Sequence, residues 1–447
     1  MVDDGAVNPQ RILVVGAGHV GFYAALRLSK KIKRGEAEVT VVDPQPHMTY
    51  QPFLPEAAAG NISPRHTVVP LRRELRRCHV LAGEVTRIEH ARKVATVQPI
   101  IGPAREVGYD QIIVAPGSVS RTLPIPGLRE QAVGFKTIGE AIYLRNRVLE
   151  QLDVGATTVD ADTRARALTF VFIGGGYAGI EALAEMEDMA RDALRYYPEL
   201  KPADMHWVLI EATMRILPEV DPDMGAYTVK QLLKRQLDIR LGTRLESCVD
   251  GIVKLSDGDS FAADTIVWTA GVKASPMLGK TDLPLDAKGR LTCLATLQVV
   301  GPDGQPVEGA WSAGDGAAVP DLTKGPGELC GPSAQHAVRQ ARRAADNIVA
   351  VLRGHPPVEY RHKYVGSVAS LGLHKGVAQV YGLKITGVAA WFMHRTYHLS
   401  RIPSLNRKIR VIIDWTLALF LKREVVALGE LHEPRESFTD VTPPVPH

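Results

Sequence analysis

The feature that most constrains the fold is a pattern that occurs twice: an apolar strand, a glycine-rich turn and an amphipathic helix, followed by a strand that ends on an acid. The first copy begins with ILVVGAGHVG, and its second strand, EVTVVD, ends on Asp43. The second copy begins with LTFVFIGGGYAG, and its second strand, MHWVLIE, ends on Glu211. Because a βαβ unit of this kind forms a dinucleotide-binding fold, the sequence predicts an α/β protein with two Rossmann-like domains.

In both copies three glycines have the GxGxxG spacing. They permit a tight turn, let the backbone approach a pyrophosphate, and allow the helix to pack closely on the strand. The phosphates then lie at the helix N-terminus, and the acid can accept hydrogen bonds from the ribose hydroxyls of adenosine. Two such sites predict two bound dinucleotides. The glycines are Gly16, Gly18 and Gly21 in the first copy and Gly174, Gly176 and Gly179 in the second.

The acid of the second copy also bears on which nicotinamide nucleotide is used. Glu211 would repel the 2′-phosphate of NADPH, so NADH is the expected substrate. Arg215, four residues further on, weakens this preference.

A third glycine-containing turn follows the second copy. Gly314 and Asp315 come after an apolar strand, GAWSA, that is expected to return to the first fold. A Gly-Asp pair alone is an ordinary turn, but in this position the aspartate suits a hydrogen bond to the ribityl chain of a flavin. Helical periodicity then runs from Ser333, a plausible N-cap, to Leu352.

Composition excludes several classes of protein. A chain of 447 residues with 45% hydrophobic and 23% charged residues is an ordinary globular protein of two or three packed units. Its 53 Lys and Arg against 49 Asp and Glu give no reason to expect nucleic-acid binding. The four cysteines lack CxxC spacing, so neither a disulfide scaffold nor a metal site is expected. The polar N-terminus, MVDDGAVNPQ, lacks the features of a secretory signal.

The C-terminal segment differs in composition from the rest. From about 387 to 428 it mixes Arg and Lys with Trp, Phe, Ile and Leu, a pattern typical of helices that lie in an anionic lipid interface. No stretch reaches the roughly 18 apolar residues of a membrane-spanning helix, so the expected contact is peripheral. A buried C-terminal helix with solvated arginines is the alternative, and a homodimer face is compatible with both.

These motifs, in this order, resemble type II NADH:quinone oxidoreductases, single-chain respiratory dehydrogenases that do not pump protons. The similarity covers nearly the whole chain and includes TYQPFLPEAAAGNIS, GGGYAGIE, VWTAGVKASP, SAGDGAA and SAQHAVRQ. The resemblance implies FAD in the first fold, NADH in the second, and a membrane quinone, menaquinone or ubiquinone, as acceptor. It also implies a peripheral position at the cytoplasmic face of the inner membrane. The expected domains are an FAD domain of residues 8–135 and 285–386, an NADH domain of 136–284 inserted into it, and a membrane-associating region of 387–447.

Site residues are carried over by the same resemblance. Glu181 resembles an acid near the nicotinamide and the flavin, although a glutamate stabilised by the helix dipole is the alternative. Gln335 resembles the first glutamine of a quinone motif whose second polar residue, usually glutamine, is here Arg339. These two are spaced i, i+4 and share a helix face, but a plain surface role for Arg339 stays open. The remaining expected cofactor contacts are Gln51, Pro52, Ala115, Pro116, Gly117 and Gly271.

Two other functions remain open at this point. One is a related flavin reductase that uses sulfide as donor or a soluble acceptor, and the other is a non-catalytic flavoprotein that senses nucleotides. Cys330 invites comparison with sulfide:quinone oxidoreductases, but one cysteine cannot form their disulfide, and Cys78 stands alone in the first fold. His394 and His398 are spaced like a metal pair, yet with no third ligand nearby an interfacial role is favoured.

Overall fold

A computed structural model describes residues 8–363 and 366–428. The described chain forms two compact units, each containing one glycine-rich motif. The first unit comprises residues 8–50, Val68–Arg121 and 272–363, and the second comprises Gln51–Thr67, Thr122–Gly271 and 366–428. Residues 429–447 of the expected membrane-associating region lie outside the described residues.

The first unit is built on an eight-stranded sheet. Its central strands are parallel and are buried on both faces, as the continuous apolar run ILVV requires. The expected return of the strand after the second copy is confirmed, because Ala310–Ser312 pair in parallel with Ile112–Val114. In spatial order the strands are Gln298–Val300, Pro306–Ser312, Gln111–Val114, Gln10–Val15, Ala37–Asp43, His79–Glu89, Val94–Pro99 and Arg105–Gly108.

The helices of this unit place the site residues. His19–Lys31 packs against Ala334–Leu352, and each begins near the end of a strand of the large sheet. Ser333 caps the second of these helices, as the sequence predicts. The smaller elements are the helix Leu71–Glu74 and the strand pairs His47–Thr49 with Val68–Pro70, Ser118–Ser120 with Val272–Ala274, and Leu291–Thr292 with Ala317–Ala318.

The second unit contains a five-stranded sheet in which all neighbouring strands are parallel. In spatial order its strands are Ala132–Gly134, Thr265–Trp268, Thr169–Ile173, His206–Glu211 and Asp238–Leu241. Two three-stranded antiparallel sheets accompany it: Leu245–Ser247, Ile252–Leu255 and Ser260–Ala262, and Gly366–Ser370, Gly376–Val380 and Leu383–Thr386.

The second unit also contains several helices, some of which pack against the parallel sheet. A capping box between Thr137 and Glu140 starts the longest of them, in which the Thr137 side chain accepts from the Glu140 backbone N–H. The helices are Leu54–Ala58, Leu128–Gln131, Ile138–Thr157, Ala161–Ala167, Tyr177–Ala193, Pro222–Leu233, Gly387–Arg401 and Leu405–Leu417.

The last two helices correct one expectation. Trp391 and Arg395, expected at a lipid surface, are buried within the second unit. The Arg395 guanidinium lies 4.1 Å from the Trp391 ring centroid and 4.8 Å from that of Trp415, and it pairs with Glu56 at 2.8 Å. The sequence shows only that basic and aromatic residues are mixed in this segment. The burial of Arg395 depends on Glu56, a partner that lies far away in the chain. Among the residues the structure describes, no helix is long and apolar enough to span a bilayer.

Candidate functional site

The first glycine-rich loop has the geometry that its spacing predicts. Gly16 has φ +88°, and a Cβ there would collide with the Ala115 carbonyl oxygen. A Cβ at Gly21 would collide with the carbonyl oxygen of Gly16, so both positions require glycine. A Cβ at Gly18 would meet no atom within 4 Å. The space beside Gly18, the N-cap of the helix His19–Lys31, is therefore open, as the approach of a phosphate to this helix requires.

Asp43 closes this loop from the end of its strand. Its Oδ2 accepts from the Ala17 N–H at 2.6 Å, and its Oδ1 accepts from the Gln45 N–H at 2.7 Å. Burial raises the pKa of Asp43, although these two backbone hydrogen bonds act in the opposite direction. Each carboxylate oxygen keeps a lone pair, so the side chain is oriented and can still accept from ribose hydroxyls.

Other expected flavin contacts come together in the first unit. The Asp315 Oδ2 accepts from the Ser118 hydroxyl at 2.6 Å, next to Gly117, which has φ +72°. Gly314, with φ +73°, donates its N–H to Oε1 of Gln340 at 2.8 Å. Gln340 was not among the residues predicted from the sequence to bind the cofactor. Its amide is buried on the core face of an otherwise alanine-rich helix, and that position is the signal that could have identified it.

The quinone-motif residues occupy the start of the helix Ala334–Leu352. The Ser333 hydroxyl accepts from the N–H groups of Gln335 and His336, at 3.1 and 3.3 Å. Arg339 donates from Nη1 to the Gln335 carbonyl oxygen at 3.0 Å. Both side chains are half-buried and lie on the same helix face, as their i, i+4 spacing predicts.

The second glycine-rich loop repeats the design of the first. Gly174 has φ +111°, and its Cβ would lie 2.8 Å from the Thr269 carbonyl carbon. A Cβ at Gly179 would collide with the Gly174 carbonyl oxygen, whereas one at Gly176 would meet nothing within 4 Å. Gly271, with φ +90°, ends the short segment that follows the strand Thr265–Trp268. The space beside Gly176, the N-cap of the helix Tyr177–Ala193, is likewise open.

Glu211 anchors this second loop. Its Oε2 accepts from the Gly175 N–H at 2.6 Å, and its Oε1 accepts from the backbone and hydroxyl of Thr213, both at 2.8 Å. Arg215 instead donates to the carbonyl oxygens of Pro218 and Val220. The guanidinium is therefore held by main-chain oxygens.

Glu181 belongs to a buried polar cluster that the sequence analysis did not foresee. The Ser370 N–H donates to Glu181 Oε1 at 2.8 Å, and the Nε2 of His394 lies 3.1 Å from the same oxygen. One turn further along the helix, Glu185 accepts from the Ser370 hydroxyl at 2.7 Å and from the Asn61 amide at 3.0 Å. Burial, followed by the charges of the neighbouring acids, raises the pKa of Glu185 to about 7.

Two further acids extend this cluster. Glu56 pairs with Arg395 and accepts from the Trp415 indole N–H at 2.9 Å. Asp188 pairs with Arg423 at 3.1 Å and Lys375 at 3.2 Å. The signal available in the sequence was the spacing of Glu181, Glu185 and Asp188 at i, i+4 and i+7, which puts three acids on one face of the helix.

Gln51 and Pro52 lie in a short 3₁₀ segment of the second unit, where the Gln51 amide donates to the Lys136 carbonyl oxygen at 3.2 Å. Asp43 and Glu211, by contrast, each contact the glycine-rich loop of the unit to which they belong. The flavin contacts expected of Gln51 and Pro52 remain predictions.

Comparison with known proteins agrees with this geometry. The sequence profile of the family described as pyridine nucleotide-disulphide oxidoreductase matches residues 10–346. The chain is 29% identical to the type II NADH:quinone oxidoreductase Ndh of Mycobacterium tuberculosis, over 92% of this chain and 89% of that protein. It is 28% identical to the type II NADH:quinone oxidoreductase of Staphylococcus saprophyticus, over 87% and 94% of the two chains. The structure of NDH2 from Plasmodium falciparum in complex with NADH has a TM-score of 0.84 at 18% identity, covering 93% of this chain and 99% of that one.

Proposed function

Since the chain belongs to the pyridine nucleotide-disulphide oxidoreductase family, we propose that it is a type II NADH:quinone oxidoreductase, which oxidises NADH through FAD and transfers two electrons to a membrane quinone. One observation carries the proposal: two glycine-rich loops, each closed by an acid on backbone N–H groups, each leave a helix N-terminus open. The names of relatives similar over most of their length support the same activity.

The first unit is assigned to FAD and the second to NADH. Gly16, Gly18, Gly21 and Asp43 would hold the FAD diphosphate and ribose, with Asp315 at the ribityl chain. Gly174, Gly176 and Gly179 would hold the NADH diphosphate. Glu211, whose position is fixed by three hydrogen bonds, would accept from the ribose 2′-hydroxyl and repel a 2′-phosphate.

FAD, when bound, supplies the carrier that accepts a hydride from the nicotinamide and gives two electrons to the quinone. The protein then has to bind, orient and neutralise charge. The capped N-terminus of Ala334–Leu352 presents the positive end of a helix dipole, which stabilises negative charge developing nearby. Gln335 and Arg339 on this helix can donate hydrogen bonds to a quinone carbonyl.

Quinone reduction also takes up two protons, and the buried cluster around Glu181 can hold protons near neutral pH. Glu185 has a pKa of about 7, and although burial lowers the pKa of His394, the contact with Glu181 together with the charges of Glu181, Glu56 and Glu185 raises it. Glu181 is therefore assigned a catalytic role, with His394 and Glu185 as positioning residues, His394 by direct contact and Glu185 through Ser370.

The C-terminal helices would hold the enzyme against the cytoplasmic face of the inner membrane. After correction for Trp391 and Arg395, the basic residues that remain exposed include Arg401, Arg410 and Lys422. Apolar side chains lie exposed near them, and a surface of this kind favours an anionic lipid interface. A homodimer would be compatible with it. The exposed apolar residues include Val388, Phe392, Leu405, Ile409, Ile412, Ile413, Leu417, Leu419, Phe420 and Leu421.

The test is an assay of purified protein with NADH and a short-chain quinone analogue, followed by the loss of nicotinamide absorbance. We expect turnover that requires the quinone, that is much slower with oxygen or a soluble dye alone, and that is not replaced by sulfide as donor. NADH oxidation at the same rate with and without quinone would instead indicate a flavin reductase with a soluble acceptor.

A further inference from the structure

Three metal-binding side chains meet in the first unit. Asp321, Cys330 and His336 are all buried, and their ligand atoms all lie within 4.8 Å of one another. Asp321 and Cys330 flank an exposed turn that is closed by a bridge between Pro320 and Leu329. His336 lies in the first turn of the helix Ala334–Leu352.

The chemistry of this donor set points to zinc. Thiolate, imidazole and carboxylate are the ligands that Zn²⁺ takes in tetrahedral sites, whereas Ca²⁺ and Mg²⁺ prefer oxygen alone. With Zn–S near 2.3 Å and Zn–N near 2.1 Å, adjacent ligand atoms are about 3.5 Å apart. Binding would therefore draw the three side chains together by about 1 Å.

The surroundings of His336 also suit a ligand. Its Nδ1 lies 2.8 Å from the Tyr360 hydroxyl, which fixes the ring and leaves Nε2 for a metal. Metal-bound histidines generally have a hydrogen-bond partner of this kind on the second nitrogen. The ring of His362 lies edge-on to His336, with 5.8 Å between centroids. Among the described residues, the buried Nε2 of His362 has no hydrogen-bond partner.

We propose that Asp321, Cys330 and His336 bind a zinc ion, that the His362 ring moves in from beside His336 as the fourth ligand, and that the ion links the turn between Asp321 and Cys330 to the start of the helix Ala334–Leu352. This departs from the expectation of no metal, which rested on the spacing of the cysteines and on the lack of a third ligand near His394 and His398. The site is structural: it would hold the helix turn that carries Gln335 and Arg339. It does not depend on the proposed electron transfer.

Zinc binding would change the protonation of the ligand Cys330, and the nearby Lys324 would oppose it. Burial raises the pKa of Cys330 to about 11, so the thiol carries its proton without metal, and binding breaks the S–H bond and releases that proton to solvent. The ammonium of Lys324 lies 3.4 Å from the Asp321 carboxylate and competes with a cation for it. Its replacement should therefore strengthen zinc binding.

The experiment uses the full-length protein with its flavin, purified without metal-affinity resin, incubated with zinc sulfate and dialysed. Zinc is counted per chain by mass spectrometry, and its affinity is measured against a chromophoric chelator. We expect one zinc per chain, affinity reduced at least about tenfold in Cys330→Ala and His336→Ala, and no change in Cys293→Ala, which removes another buried thiol of the same unit. X-ray absorption should show a sulfur neighbour near 2.3 Å that Cys330→Ala removes.

Cys330→Ala and His336→Ala could lose zinc simply because they misfold. Lys324→Ala distinguishes this case, because a loss of structure cannot strengthen zinc binding. We expect its zinc affinity to rise by up to about fivefold, the range of an exposed ion pair. Zinc retention equal in the wild type and a Cys330→Ala, His336→Ala double variant would overturn the proposal, and so would a wild type that retains no zinc.

Discussion

The carboxylate of Glu181 lies 3.1 Å from Nε2 of His394, and both side chains are buried in the second unit. Burial alone would lower the pKa of His394, but the contact with Glu181 and the charges of Glu56 and Glu185 outweigh it and raise the pKa. The fold therefore favours the protonated imidazole. Removing one partner of a buried ion pair leaves the other charge uncompensated, which destabilises the fold. The charge of His394 should therefore affect the free energy of unfolding.

Replacement of His394 should destabilise the protein in a pH-dependent way. A raised pKa means that the stabilisation is fully present below the ordinary value near 6.5 and is lost as pH rises through the higher folded value. His394→Gln should thus lower the thermal midpoint more at pH 6 than at pH 8.5, with a maximal cost of about 3 kcal/mol. Differential scanning fluorimetry measures it, with the exposed His355→Gln as control. An equal loss at every pH would contradict the assigned charge.

Glu185→Gln should act in a different pH window. The folded pKa of about 7 lies above the ordinary value of 4.5, so ionisation of Glu185 costs stability progressively between those values. The amide avoids this cost. Relative to wild type, the variant should gain on the order of 2 kcal/mol as pH rises from 4.5 to 7. Glu199→Gln, at an exposed position, is the control and should show no change in relative stability with pH. The absence of a pH trend in Glu185→Gln would contradict the prediction, because it would mean that Glu185 is ionised across the whole range from pH 4.5 to 7.

Glu211→Gln should narrow the preference for NADH over NADPH. The wild type should favour NADH in kcat/KM, because a fixed carboxylate repels the 2′-phosphate. An amide removes that charge while its oxygen can still accept from Gly175. Steady-state kinetics with both nucleotides give the ratio, with the exposed Glu219→Gln as a charge-matched control. Wild-type enzyme that used both nucleotides equally would refute the assignment.

Gln335→Ala and Arg339→Ala should slow reoxidation of the reduced flavin by quinone and leave its reduction by NADH nearly unchanged. The loss of one hydrogen bond to a developing negative charge predicts a decrease of about tenfold or more. Stopped-flow absorbance separates the two half-reactions. Arg342→Ala, an exposed cation on the same helix, is the control. Slower reduction with unchanged reoxidation would place the quinone site elsewhere.

Membrane binding should depend on the exposed apolar side chains of the two C-terminal helices and of the turn that follows Leu417. Truncation is a poor test, because Trp391, Arg395 and Val411 are buried in the second unit. Combined replacement of Phe392, Phe420 and Leu421 by serine should weaken sedimentation with anionic vesicles at least about tenfold. Wild-type binding should also weaken with salt, since part of the attraction is electrostatic. Leu383→Ser, at an exposed strand position, should have no effect; equal pelleting of the triple variant would exclude this surface.

Sequence alone determined the parts of the site that are formed by neighbours along the chain. Gly16 and Gly174 adopt positive φ because the turn between a strand and a helix demands it, and only glycine does so at no steric cost. The N-cap at Ser333 and the i, i+4 placement of Gln335 and Arg339 follow from local hydrogen bonding and helix geometry. Such features are readable because a few adjacent residues fix them.

Tertiary structure decided the parts formed by residues far apart in the chain. Glu56 and Arg395 are separated by more than half of the sequence, and nothing in either segment shows that two indole rings and a carboxylate bury the guanidinium. Ser370 meets Glu181 and Glu185, and Asp321 meets Cys330 and His336, only once the chain has folded. Burial and long-range pairing set the charges of these groups, and both depend on the packing of whole elements.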